Sequence, residues 1–172
     1  DPYPLTVEQV GAGEASQDVM LAGLFSKTNF LDVLQNFTVF EPVDGRIIKK
    51  IPRYQQFRAV HKTIERLKDG ETPKDKSGVI WHTQGSGKSL TMVFLTIKMR
   101  RDPELRDYKL VFLTDRTQLD NQLTSTFNNA QGETIRHADS VKSLKELLAS
   151  DASDIITAMV QKFQESADDL EF

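Results

Sequence analysis

The chain has 172 residues, 38% of them hydrophobic, which is typical of one soluble globular domain with a small appendage. It contains no cysteine, which excludes disulfide bonds, cysteine-based zinc sites and thiol catalysis within it. No apolar run approaches the roughly 20 residues that span a bilayer, and no signal peptide is visible, so we expect a cytoplasmic protein without membrane contact. The net charge of −3 provides no overall basic field, so any contact with nucleic acid must be a local patch.

The first part of the chain is predicted to be mainly helical. Apolar residues favour two short helices, at Gln17–Phe25 and Asn29–Phe37. A short strand is predicted at Thr38–Phe40 and a turn at Val43–Arg46. We interpret residues 1–50 as a linker segment and residues 51–172 as a separate domain.

A long helix opens the second part. Four apolar residues lie on one face at helical spacing and predict a helix that ends at Gly70, namely Phe57, Val60, Ile64 and Leu67. The polar segment Glu71–Ser77 is predicted to be a loop, and Val79–Trp81 a short buried strand before a glycine-rich turn.

Helices and apolar strands alternate beyond that turn. A helix is predicted over Lys88–Met99, and the continuous apolar run Lys109–Thr114 is typical of a parallel strand covered on both faces. A helix capped by Asp115 follows, then a helix at Val141–Ala149 and a buried strand at Ile155–Val160. This order indicates an α/β fold with a parallel sheet flanked by helices.

The turn carries the motif with the clearest chemistry. The residues from Trp81 to Ser89 read WHTQGSGKS and resemble the Walker A phosphate loop. Gly85 and Gly87 would let backbone N–H groups turn inward without a Cβ in the way, and the following helix would direct its positive end at the phosphates. Lys88 is expected to reach the β- and γ-phosphates as the catalytic cation, and Ser89 to ligate Mg²⁺.

The predicted cofactors are therefore ATP and Mg²⁺. The candidate ATP-binding residues of the loop are Thr83, Gln84, Gly85, Ser86, Gly87, Lys88 and Ser89. The motif has His82 where the full pattern has Gly or Ala, and the alternative interpretation of the loop is a flexible polar turn. A position after an apolar strand and before an amphipathic helix favours the phosphate loop.

Three other segments resemble motifs of superfamily 2 helicases. Arg53–Val60 is similar to the Q motif, in which an amide reads the adenine edge, and the Ala three residues later selects Gln56 for that role. The segment Leu113–Gln122 is similar to helicase motif Ia, in which Arg116 would contact a DNA backbone phosphate. The segment Ile156–Phe163 is similar to the next strand-end motif of that superfamily, in which the hydroxyl of Thr157 would touch the same backbone. The alternative interpretations are a polar residue at a helix start for Gln56, an exposed arginine for Arg116 and an ordinary strand residue for Thr157.

Together these motifs resemble the R (motor and nuclease) subunit of type I restriction-modification enzymes, over about Phe30 to Phe163. The resemblance implies an incomplete RecA-like first motor lobe, in a subunit that pumps double-stranded DNA with ATP and cuts it far from the recognition site. It also implies methyltransferase (M) and specificity (S) subunits as partners. The nuclease residues are expected before Asp1 and the Walker B carboxylates after Phe172.

Other functions are possible for a chain with these motifs. Another superfamily 2 translocase, of the type III restriction or repair type, would share all of them. A P-loop kinase of small molecules would lack the Q motif and the segment at Arg116. A docking module without enzymatic activity would need no nucleotide.

Overall fold

The computed structural model of the protein describes residues 21–114 and 135–160. The predicted helix after Asp115 lies outside these ranges. The chain divides into two compact units, one of Asp1–Val39 with Lys49–Trp81 and the other of Phe40–Ile48 with His82–Phe172. Across the described ranges, every helix is too short or too polar to cross a membrane.

The first unit is helical in its described part. Residues 21–24 are helical, and three further helices follow, α1 (Lys27–Asn36), α2 (Tyr54–Asp69) and α3 (Pro73–Lys76). Helix α2 ends at Gly70 as predicted, and it buries Val60 and Ile64 of the predicted apolar face. The helical period of the sequence therefore located α2 correctly.

An aromatic cluster joins α1 to α2. The ring of Phe37, directly after α1, lies 4.7 Å from that of Phe57 and is stacked on His61 at 5.6 Å. His61 Nε2 is 2.6 Å from Asp32 Oδ2, so a polar contact between the two helices accompanies the packing of the rings. The contact explains this histidine as a structural residue of the helix pair.

The predicted loop Glu71–Ser77 is wrong, because it contains the short helix α3. Thr72 Oγ1 accepts a hydrogen bond from Asp75 N at 3.2 Å, and Asp75 Oδ2 accepts one from Thr72 N at 3.0 Å. Pro73 supplies the first helical residue. This reciprocal capping favours one helical turn in a polar sequence that has no apolar period to reveal it.

Along the chain, a β-hairpin follows α1 and precedes α2. Its strands are β1 (Val39–Val43) and β2 (Arg46–Lys50). Asp44 and Gly45 form the predicted turn, with φ angles of 49° and 73°, the left-handed values that a tight hairpin turn requires. The described part of residues 1–50 thus contains a hairpin besides helices, so the prediction of a mainly helical segment was only partly right.

The second unit contains the predicted parallel sheet. Its elements are α4 (Lys88–Arg101), β3 (Leu110–Thr114), β4 (Ile135–His137), α5 (Val141–Ala149) and β5 (Ile155–Met159). The strand order is β3-β5-β4, and both pairings are parallel. Leu110 and Ile135 both align with Ile155 across the sheet. The α/β class is confirmed, whereas β4 was not predicted.

Helix α5 packs against the sheet. Their shared core is fully buried and consists of Ala138, Leu144, Ile156 and Ala158, with Leu147 at its margin. Lys109 Nζ, just before β3, donates hydrogen bonds to the carbonyl oxygens of Leu147 and Leu148, at 2.8 and 2.9 Å. A cation at the carbonyl end of α5 satisfies acceptors that the helix leaves open.

Two predictions about strands were wrong. Val79 and Trp81 are 92% and 89% exposed, and residues 79–81 have no regular secondary structure and belong to none of the described strands. An apolar run forms a buried strand only when neighbours pair with it, and no described residue does so here. Strand β3 is not covered on both faces, because Val111 and Leu113 are partly exposed. Within the described sheet β3 is an edge strand that pairs with β5 alone.

Candidate nucleotide-binding site

The loop before α4 depends on two glycines in left-handed conformations. The φ angles are 74° at Gly85 and 85° at Gly87, values that a residue with a Cβ adopts only with strain. A Cβ built at Gly85 would meet no atom within 4 Å, so the backbone angle and not crowding requires glycine there. Gly87 is the N-cap of α4, and Lys88 is its first helical residue, as predicted.

The carbonyl oxygen of Thr83 closes the loop. It accepts hydrogen bonds from Ser86 N at 3.3 Å, Ser86 Oγ at 2.6 Å and Lys88 Nζ at 2.9 Å. The ammonium group of Lys88 therefore lies over the loop and does not extend away from it. Three donors converge on one oxygen, so the loop gathers donors in the small space that a phosphate ligand would need.

Helix α4 follows the loop directly and is held by hydrogen bonds and by burial. Thr91 N and Thr91 Oγ1 both donate to the carbonyl oxygen of Gly87, at 3.0 and 3.1 Å. Val93, Phe94 and Ile97 are buried and fix the helix in the second unit. The first-turn N–H groups have no acceptor inside a helix, so they face the loop together with the positive end of the helix dipole.

The electrostatic surroundings of the loop suit an anion. No acidic residue lies in the first turn of α4, and the sequence contains no carboxylate side chain between Asp75 and Asp102. Lys88 is exposed, and Ser89 follows it at the start of the helix. The arrangement of glycines, cation and helix N-terminus fits a triphosphate group. Among the described residues no group of three or more His, Asp or Glu could hold a metal ion.

Gln56 is buried at the start of α2, in the first unit. Its side-chain Oε1 accepts a hydrogen bond from Arg53 N at 2.8 Å, and its backbone N donates one to Arg53 O at 3.0 Å. The amide therefore caps the helix, which is the structural role that the sequence left open. Its contact with adenine stays a prediction.

Of the two predicted nucleic-acid residues, Thr157 lies in the part of the chain that the structure describes. Arg116 lies outside the described residues. Thr157 lies in the middle of β5, its side chain is 0% exposed, and its Oγ1 is 3.0 Å from His137 Nδ1. A contact between this hydroxyl and DNA stays a prediction, and the geometry favours a role inside the sheet.

His137 is a residue that the sequence did not single out for function. Its strand β4 has only three residues and no clear alternating pattern, so the sequence does not reveal its position. Its position opposite Thr157 follows from the parallel register of β4 and β5. Only the recognition of that strand would have revealed the pair.

Comparisons with known proteins agree with the motifs. A family model described as SWI2/SNF2 ATPase matches residues 55–172. A Methanocaldococcus jannaschii protein named "Putative type I restriction enzyme MjaIXP endonuclease subunit" is 40% identical over 90% of this chain, and this chain covers 15% of that protein. The type I restriction enzyme HindI endonuclease subunit of Haemophilus influenzae is 34% identical over 84% of the chain, which covers 14% of its length. The chain thus spans about one seventh of these relatives.

Proposed function

The chain belongs to the SWI2/SNF2 ATPase family, and we propose that it is the ATP-binding part of the motor and endonuclease subunit of a type I restriction enzyme. The relatives named as endonuclease subunits of such enzymes confirm the resemblance predicted from the motifs. In the proposal, ATP binding here drives translocation of double-stranded DNA before the subunit cuts it. The observation that carries the proposal is the loop that directs Lys88 and a helix N-terminus at one small space.

The residues of this chain would divide the work of holding ATP and Mg²⁺. The left-handed backbone at Gly85 and Gly87 shapes the loop, and the start of α4 attracts negative charge. Lys88 would move its ammonium from the Thr83 carbonyl oxygen to the phosphates, and Ser89 would offer its hydroxyl to the metal ion. ATP supplies the phosphoryl group whose hydrolysis powers a motor.

The wider proposal concerns the assembly. The parallel sheet and α4 would form part of a RecA-like lobe over residues 51–172, with residues 1–50 as a linker. Arg116 would contact the DNA backbone from this lobe. The M and S subunits would join it in a cytoplasmic complex. The relatives' names favour this proposal over another superfamily 2 translocase, which the same family match would also fit.

The test measures ATP hydrolysis by the complete subunit, with and without duplex DNA. We expect DNA-stimulated hydrolysis in the wild type and none above background in Lys88→Ala, because the loop loses the cation that neutralises phosphate charge. Lys62→Ala removes an exposed lysine of α2 and serves as the matched control with unchanged hydrolysis. If Lys88→Ala hydrolysed ATP at the wild-type rate, the assignment of the loop would be wrong.

A further inference from the structure

The side chain of Thr157 is enclosed by the sheet. It lies on the central strand β5, is 0% exposed and stands in register with His137 of β4 and Phe112 of β3. Its hydroxyl can therefore meet a ligand only through a neighbouring side chain. That neighbour is His137, whose Nδ1 is 3.0 Å from Thr157 Oγ1.

His137 extends this buried contact to the surface. It is the last residue of β4, at the carboxyl end of a parallel strand, the edge at which α/β sheets bind their ligands. Its side chain is 38% exposed. If the Thr157 hydroxyl donates to Nδ1, the imidazole keeps its proton on Nε2, which is the other edge of the ring. The threonine would thus fix both the orientation and the tautomer of His137.

An acidic group already lies at this edge of the imidazole. Asp139 Oδ1 is 3.5 Å from His137 Nε2, and its side chain is 85% exposed. The position can therefore accommodate an oxyanion next to Nε2. An external anion would have to compete with this carboxylate.

The next helix supplies positive potential close to the same turn. Helix α5 begins two residues after Asp139, and Ser140 caps it by accepting a hydrogen bond from Ser143 N at 3.1 Å. No acidic residue lies in its first turn, which carries the exposed side chain of Lys142. Lys142 Nζ lies 3.9 Å from Glu146 Oε1. A helix N-terminus that follows an imidazole donor closely in the chain suits a phosphodiester group.

We propose that His137 contacts a backbone phosphate of the DNA, that Thr157 is the positioning residue behind it, and that Asp139 competes with the phosphate for the same imidazole edge. The inference rests on the proposed function as a DNA motor. It departs from the resemblance, which assigns the backbone contact to the threonine itself. The pair of Asp139 and His137 would then set how tightly this turn holds DNA.

The experiment measures binding of a short fluorescent duplex of random sequence to the complete subunit at low salt. His137→Ala should weaken binding about 3- to 10-fold, the effect of one hydrogen bond, and Asp139→Asn should tighten it about threefold, because a competing charge is removed. Thr157→Val should weaken binding, whereas Thr157→Ser keeps the hydroxyl and should restore it. ATP affinity without DNA should be unchanged in all four variants.

The opposite signs expected for His137→Ala and Asp139→Asn separate the proposal from a purely structural role. If the two changes weakened binding equally, or left it unchanged, the inference would be overturned while the proposed function stood. A wild-type subunit that binds ATP but no DNA would overturn the proposed function and, with it, this inference. Melting curves of each variant show whether the fold is retained. If His137→Ala lowers the melting temperature, it is replaced by His137→Gln, for which weaker binding is again expected.

Discussion

Arg100 ties the end of α4 to two loops of the second unit. Its guanidinium group donates to the carbonyl oxygens of Arg106 at 2.6 Å, Tyr108 at 2.7 Å and Ser153 at 2.7 Å. These acceptors precede β3 and β5, so one side chain fixes the helix and the amino ends of two neighbouring strands. Arg100→Met keeps most of the aliphatic stem and removes all three bonds.

The expected cost follows from the bonds that are lost. A hydrogen bond to a charged group contributes about 1.5–3 kcal/mol, and partial access of water here reduces this to about 1 kcal/mol each. Arg100→Met should therefore lower the free energy of unfolding by about 3 kcal/mol, or the melting temperature by about 6–12 °C. The assay is thermal and urea unfolding of the purified protein, followed by circular dichroism.

Arg106→Met is the matched control. The side chain of Arg106 is largely exposed, and its Nε lies 3.7 Å from Asp107 Oδ2. An exposed pair of this kind contributes less than about 1 kcal/mol, so the control should melt close to the wild type. If Arg100→Met were no less stable than Arg106→Met, the three carbonyl contacts would not be the anchor of this unit.

Three further predictions concern the helix caps and the completeness of the site. Gln56→Ala should lower the free energy of unfolding by about 1 kcal/mol, because the cap on Arg53 N is lost. In the complete subunit the same change should reduce the preference for ATP over GTP by about 1–3 kcal/mol. The hydroxyl and the backbone N–H of Thr72 lower the pKa of Asp75. The contribution of this cap to the free energy of unfolding should therefore be present above the ordinary aspartate range and disappear as the pH falls through the lowered pKa. An Asp75→Asn variant that loses the same stability in acid would contradict this. The 172-residue chain alone should show a rise in melting temperature with ATP but no phosphate release, because Ser89 is its one predicted metal ligand; DNA-stimulated turnover would contradict this.

The sequence predicted those elements whose signal is local. Helix α5 was predicted with its observed bounds Val141–Ala149, and α2 with its observed end, because apolar residues repeat at the helical period. Strand β5 was predicted to within one residue, since a short apolar run buried on both faces has few alternatives. The turn before α4 followed from its glycines, and the structure shows it to be left-handed at Gly85 and Gly87.

The errors concern elements that depend on distant partners. Residues 79–81 have strand-like composition, yet a strand exists only when another segment pairs with it, and the sequence does not show which one. The three residues of β4 are too few to give a period, so the contact between His137 and Thr157 could not be foreseen. The sequence also could not show that Thr83 offers its carbonyl oxygen to Lys88.

Binding of ATP at the loop before α4 is tested most directly by isothermal titration of ATP with Mg²⁺ into the complete subunit and its Lys88→Ala variant. We expect the variant to bind at least about tenfold more weakly, since a charge-assisted hydrogen bond to phosphate contributes about 1.5–3 kcal/mol. Lys62→Ala, with its exposed lysine on α2, should bind as the wild type does. Equal affinity of the wild type and Lys88→Ala would contradict the assignment of this loop as the ATP site.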